Sequence, residues 1–217
     1  MRNFFPEGRH HDMSFTIWFT GLSGAGKTTL SKAVYLEVRR RGLAAEWLDG
    51  DIIRSNFSQE LTFSRRDRDI NVGRIGFVSH LLNKNNVVSV VAAIAPYEQA
   101  RAKNRALLGN YVEVFVDCPL DVVARRDVKG LYARALAGEI ENFTGVSDPY
   151  EPPVDPEVVA HTDVEDVDAS VRKVICHLEA EGHLPGAGST PTCSFCEEDE
   201  LRWRKRLAEL GFAKNGA

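Results

Sequence analysis

The sequence predicts an α/β protein: a mostly parallel five-stranded sheet between two helical layers, with a lid over one end. Three observations predict it. Apolar runs of strand length alternate with stretches of helical period from Phe15 to Glu181. The first run feeds a glycine-rich turn, Gly21–Thr28, that opens a helix, the layout of a P-loop NTPase-type three-layer sandwich. One long segment, 128–157, interrupts the alternation with Gly, Pro and charge.

Each element follows from its residues. Phe15–Thr20 (FTIWFT) is β-branched and aromatic and stops at Gly21, as a fully buried strand does. Leu30, Ala33, Val34, Leu36 and Val38 share one face of a helix from Lys27 to Arg41, ended by Gly42. AAEWLDGD (44–51) reads as a second strand running into a loop at Asp49–Asp51. An Arg-rich polar stretch leads into helix-like sequence through Leu82. NVVSVVAAIAP (86–96) is a third buried strand, stopped by Pro96, and a helix follows around Glu98–Leu108. YVEVFVD (111–117) is the fourth strand, and LDVVARRD (120–127) a short helix. Segment 128–157, poor in apolar period, is the expected lid. EVVAHT (157–162) is a fifth strand, and Val167–Glu181 the helix after it. The organisation expected is an arm over 1–14, one domain over 15–184, and a linker with a tail helix (about Glu198–Leu210) over 185–217.

Composition narrows the class. The net charge of −4 supplies no basic field for nucleic acid or an anionic membrane. With 43% hydrophobic and 27% charged residues the chain has an ordinary soluble profile. Its apolar runs are too short to span a bilayer. Four cysteines are too few for a disulfide scaffold, and a cytoplasmic location is expected. Cys118 and Cys176 read as small buried hydrophobes. Cys193 and Cys196 have C-x-x-C spacing, but structural zinc wants four ligands and only a distant His183 is on offer within the tail.

Gly21-Leu22-Ser23-Gly24-Ala25-Gly26-Lys27-Thr28 fits G-x-x-x-x-G-K-[ST] in full, so ATP or another nucleoside triphosphate is expected here. The loop from Gly21 through Ser23, Gly24, Ala25 and Gly26 turns its amides inward as an anion nest. The helix that begins with Lys27, Thr28 and Thr29 points its positive end at the same spot. Lys27 reaches the terminal phosphates, and the Thr28 hydroxyl is a Mg²⁺ ligand. Motors and switch proteins end a later strand in an acidic residue, but the third strand here ends in AIAPY. The carboxylates follow the second strand instead, at Asp49 and Asp51, and no N-K-x-D guanine-reading element occurs. This pattern suits a compact kinase that closes over a small acceptor. Arg54, Arg65, Arg66, Arg68 and Arg74 cluster beyond those carboxylates, and arginine captures phosphate- or sulfate-like groups. Arg65 and Arg66 fit a solvated helix face, whereas Arg54 lies close to the strand end. Phe63 and Phe143 stand in polar stretches, where core packing and stacking on a base are both open.

In the same order along the chain, GLSGAGKTT (21–29), DGDIIR (49–54), LTFSRRDRDINVGR (61–74), AIAPY (93–97) and the long run VDCPLDVVARRDVKGLYARALAGEIENFTGVSDPYEPP (116–153) resemble adenylylsulfate kinase. The resemblance covers 17–184. It implies transfer of the ATP γ-phosphate to the 3′-hydroxyl of adenosine 5′-phosphosulfate (APS), giving 3′-phosphoadenosine 5′-phosphosulfate and ADP. It also implies roles: Asp51 beside that hydroxyl as general base or Mg²⁺-organising carboxylate, with Asp49 structural. Arg54, Arg68 and Asn71 would hold phosphosulfate and ribose, and Phe63 and Phe143 would sandwich the adenine, with Ile94 and Asn142 alongside. Lys129 would approach the phosphates as the lid closes, and Arg74 is placed equally by binding and by structure. Such enzymes are often dimers, and a homodimer is expected.

Three departures from the family pattern stand out. Ala95 replaces a serine assigned elsewhere as a phosphorylated intermediate, which rules out that relay here. Thr62 replaces a glycine, and Ala133 and Leu136 replace lid cations. Two alternatives stay open at this point: a P-loop kinase for another nucleoside or sugar, and a weakly active regulatory module.

Overall fold

The computed structural model describes residues 14–127 and 129–185. The readings on Cys193, Cys196 and the helix Glu198–Leu210 lie outside the described residues. In chain order the elements are β1 (Thr16–Thr20), α1 (Lys27–Arg40), β2 (Ala45–Asp49), α2 (Gly50–Phe57), α3 (Arg65–Asn83) and β3 (Val88–Ala92). They continue with α4 (Glu98–Leu108), β4 (Tyr111–Asp117), α5 (Leu120–Arg126), α6 (Leu131–Leu136), β5 (Val158–His161) and α7 (Val167–Ala180). The sheet has five strands in the order β2-β3-β1-β4-β5, and every pairing is parallel.

Parallel pairing needs crossover helices, and these bury both faces of the sheet. On β1, Ile17 and Phe19 face one layer with Val34 and Val38 of α1 and Val174 and Leu178 of α7. Trp18 faces the other, with Val72 and Ile75 of α3 and Tyr111. Each such side chain, fully withdrawn from water, stabilises the fold by roughly 1.5–3 kcal/mol. Chain entry and exit meet at the back of the sheet, where Phe15 stacks on His183 with centroids 4.7 Å apart. No helix among the described residues is long and apolar enough to cross a membrane.

Two expectations need correction. Asp49–Asp51 is not a loop, because α2 begins at Gly50. Asp49 is its N-cap: Oδ1 accepts from the amides of Asp51 (2.9 Å) and Ile52 (3.3 Å), so the helix starts directly off the strand. Cys118 is buried as expected, but Cys176 is exposed. The buried stripe of α7 is Ser170, Val174, Ile175 and Leu178, which leaves position 176 facing solvent. Segment 128–157 also carries one short helix, α6, within the expected lid.

Candidate active site

All the candidate residues gather beyond the carboxyl ends of the strands, where open parallel sheets place their ligands. The phosphate loop follows β1. Gly21 has φ 147°, and a Cβ there would lie 2.4 Å from the Val116 carbonyl oxygen, so only glycine fits. The loop is braced from outside: Thr162 Oγ1 donates to Ala25 O (2.7 Å) and Tyr132 Oη to Ser23 O (2.8 Å). Lys27 opens α1 and is buried, with Nζ donating to Gly21 O (3.0 Å) and Leu22 O (2.8 Å). Burial pulls its pKa down to about 8, opposed by the negative charges of Asp51 and Asp49 and assisted by Lys129. Thr28 Oγ1 donates to Asp49 Oδ2 at 3.2 Å, whereas Thr29 is exposed beside it.

The carboxylates divide. Asp49 is only 9% exposed and is committed to capping α2 and to Thr28. Asp51, in the first turn of α2, points outward, and Lys129 Nζ reaches its Oδ2 at 2.5 Å from across the cleft. The lid sequence RDVKGLY sets up that reach. Asp127 takes the amides of Tyr132 (2.9 Å) and Ala133 (3.0 Å), and Gly130, at φ 64°, makes the turn into α6. Those amide hydrogen bonds hold the Asp127 carboxyl below its usual pKa range.

The aromatic wall is built by arginines. Arg54 Nη2 donates to Leu61 O (3.1 Å) and to Thr62 O, and its guanidinium lies 4.3 Å over the Phe63 ring. Arg68, itself buried, donates from Nε to Phe63 O (2.9 Å) and from Nη2 to Asn142 O, with Asp148 at 3.7 Å. One guanidinium thus ties both predicted aromatic walls. Phe63 is 53% exposed, while half-buried Phe143 meets Tyr132 edge-on at 5.0 Å. Asn71 Oδ1 is buried without a hydrogen-bond partner, an acceptor lacking a donor. Half-buried Ile94 has its carbonyl taken by Thr20 Oγ1 at 2.6 Å.

Arg74 belongs to the frame: it donates to Phe57 O (2.6 Å) and Ser58 Oγ (3.2 Å) and pairs with Glu60 (2.6 Å). Arg65 and Arg66 are exposed, the former lying 4.3 Å over Tyr97. Thr62, at the position where the family pattern has glycine, carries no left-handed backbone strain. Among the described residues positive φ outside glycine occurs only at Asn86, Ala95, Asp127 and Asn142. Thr62 instead donates its amide (2.9 Å) and hydroxyl to Asp67. Ala95 carries the left-handed turn, at φ 43°.

Sequence reasoning missed Tyr132 and Arg101. Arg101, 1% exposed, donates to Ala95 O (2.8 Å), Glu98 Oε2 (2.5 Å) and Glu151 O (2.7 Å). It also faces Glu113 at 3.2 Å, an ion pair without hydrogen-bond alignment. Only the tyrosine left a sequence signal, inside RDVKGLY. A lone arginine in a helical stretch leaves none.

For a cation, the chain offers the Thr28 hydroxyl with Asp49 and Asp51. That oxygen-rich, sparse donor set fits Mg²⁺, which takes one or two protein ligands and leaves its other positions to phosphate and water.

Known proteins match this arrangement. The adenylylsulphate kinase family model matches residues 13–161. An adenylyl-sulfate kinase of Rippkaea orientalis is 54% identical over 169 residues, covering 78% of this chain and 93% of that one. A probable bifunctional SAT/APS kinase of Sorangium cellulosum is 48% identical over 180 residues, which are 83% of this chain and 31% of its own. The APS kinase of Mycobacterium tuberculosis, solved in complex with AMPPNP and APS, superposes with a TM-score of 0.74 at 39% identity, covering 76% of this chain and 98% of that one. A hexameric APS kinase from Thiobacillus denitrificans gives 0.61 at 36% identity, over 79% of this chain and 30% of that one. Phosphate loop, lid and arginine-held aromatic wall lie within the matched region, and the chain belongs to the adenylylsulfate kinase family.

Proposed function

We propose that this protein transfers the γ-phosphate of ATP to the 3′-hydroxyl of APS. One observation carries the reading: the Lys27 phosphate loop and the Phe63–Arg68–Asn142 wall stand at one end of one sheet, bridged by the Lys129–Asp51 pair. The loop amides from Gly21 to Gly26, with Lys27 and Thr29, receive the triphosphate. Nucleotide then replaces the loop carbonyls as the partner of Lys27. The adenine of APS enters between Phe63 and Phe143, beside Ile94, and a ribose hydroxyl satisfies Asn71 Oδ1. Arg54 and Arg68 face the phosphosulfate while holding the wall by its carbonyls. Asp51 orients the attacking hydroxyl and accepts its proton once Lys129 turns from it toward the phosphates.

Phosphoryl transfer needs positioning and charge neutralisation more than covalent help. Ala95 has no hydroxyl to be phosphorylated, and direct in-line transfer follows. Mg²⁺, which Thr28 and Asp51 would hold, would supply neutralisation of the charge on the transferred phosphate. We place the catalytic domain at 15–184, in the cytoplasm, which suits the free thiols Cys118 and Cys176. A homodimer is supported by Phe77 and Leu81, exposed one turn apart on α3. Sedimentation as a monomer at micromolar concentration would overturn that assignment.

The test of function is ADP release with APS, a nucleoside or a sugar as acceptor. Release confined to APS is expected. Equal release with another acceptor, or undiminished turnover of D51N in saturating Mg²⁺, would sink the respective assignment.

A further inference from the structure

We propose that Tyr132 is the positioning residue through which nucleotide on the phosphate loop strengthens APS binding on the aromatic wall, an inference that rests on the acceptor assignment above. Tyr132 touches both sites at once. Its hydroxyl donates to Ser23 O, in the middle of the phosphate loop, at 2.8 Å. Its ring meets Phe143 edge-on, with centroids 5.0 Å apart and planes at 83°. The side chain is 2% exposed, so neither contact is a surface accident.

The backbone around Tyr132 is held as well. Asp127 takes its amide, Gly130 turns the chain immediately before α6, and Lys129 on that turn reaches Asp51. A phosphate that orders the loop at Ser23 therefore fixes Tyr132, and Tyr132 fixes the ring against which adenine stacks. Coupling of this kind travels through packed contacts and is reciprocal: APS must tighten nucleotide by the same factor. A tyrosine serving only the core would fill space and stabilise the fold, with no effect on that factor.

The experiment is calorimetric titration of APS into the full chain with and without AMPPNP, for wild type, Y132F and Y132L. Y132F keeps the ring on Phe143 and removes the donor to Ser23. The strengthening of APS binding by AMPPNP is expected to fall about fivefold in Y132F, the scale of one lost hydrogen bond. AMPPNP binding alone stays within about twofold, and thermal unfolding stays cooperative. Y132L, which also loses the edge-on contact, is expected to weaken APS binding without AMPPNP, a loss Y132F does not share. Wild-type strengthening retained in Y132F overturns the proposal, as does equal weakening of AMPPNP alone and of APS. Wild type that binds no APS in either state overturns the acceptor assignment itself, a result readable before any variant is made.

Discussion

The two arms of the lid are fastened in opposite ways. The return arm, 148–157, is riveted to the sheet by buried groups. Asp148 takes Tyr97 Oη (2.5 Å), Tyr150 Oη lies 2.9 Å from Thr20 Oγ1, and Arg101 donates to the Glu151 carbonyl from a fully buried position. The outer arm, 129–147, leans on the groups proposed to bind the substrates. Lys129 rests on exposed Asp51, Tyr132 on the phosphate loop, and Asn142 on Arg68. Glycines at positive φ, Gly130 and Gly138, bracket α6. The return arm is thus held by the sheet itself, whereas the outer arm, which carries Asn142 and Phe143 of the wall, is held by the phosphate loop, Asp51 and Arg68.

The largest expected effect breaks the return arm. R101L removes the donor to Ala95 O and Glu151 O and strips buried Glu113, whose pKa burial already raises, of its nearer cation. A loss of about 3 kcal/mol is expected from urea unfolding, the low end of the scale for breaking a buried pair, because Arg105 still faces Glu113 at 3.5 Å. K129A, on the outer arm, should do the reverse. Turnover falls roughly 100-fold, as when one charge-stabilising donor is removed. Stability changes by less than about 1 kcal/mol, because the pair with Asp51 is exposed.

A third test uses pH. Burial holds Lys27 at about 8 without nucleotide, and phosphate favours its protonated form. AMPPNP affinity should therefore fall as pH rises through 8, with proton uptake on binding above that pH. Calorimetry in two buffers of different ionisation enthalpy reads both, and pH-independent affinity between 7 and 9.5 would contradict the assignment. The smallest effect is that of R134A. Arg134 of α6 pairs with exposed Glu139, just past the helix, at 3.2 Å, so stability should move by less than about 0.5 kcal/mol and turnover by less than twofold.

Legibility in the sequence followed locality. The strands and the phosphate loop were readable because apolar period and glycine spacing are local signals, and their predicted bounds fall within a few residues of the structure. Asp49 misled for a local reason: D-G-D reads equally as a turn and as a cap opening a helix, and only the amides of Asp51 and Ile52 decide. The arginine wall was half legible. Arg54 and Arg68 announced an anion, but that Arg68 would seize a carbonyl 74 positions away is a fact of topology. Arg101 was invisible for the same reason.

The stacking of Phe15 on His183 has an architectural corollary. Both ends of the folded unit leave from the floor of the sheet, on the side opposite the cleft, so a further module joined at either end would hang behind the catalytic face. A kinase built this way can be tethered to another enzyme without blocking its own doorway. Domain shuffling can then combine such activities with no redesign of the interior.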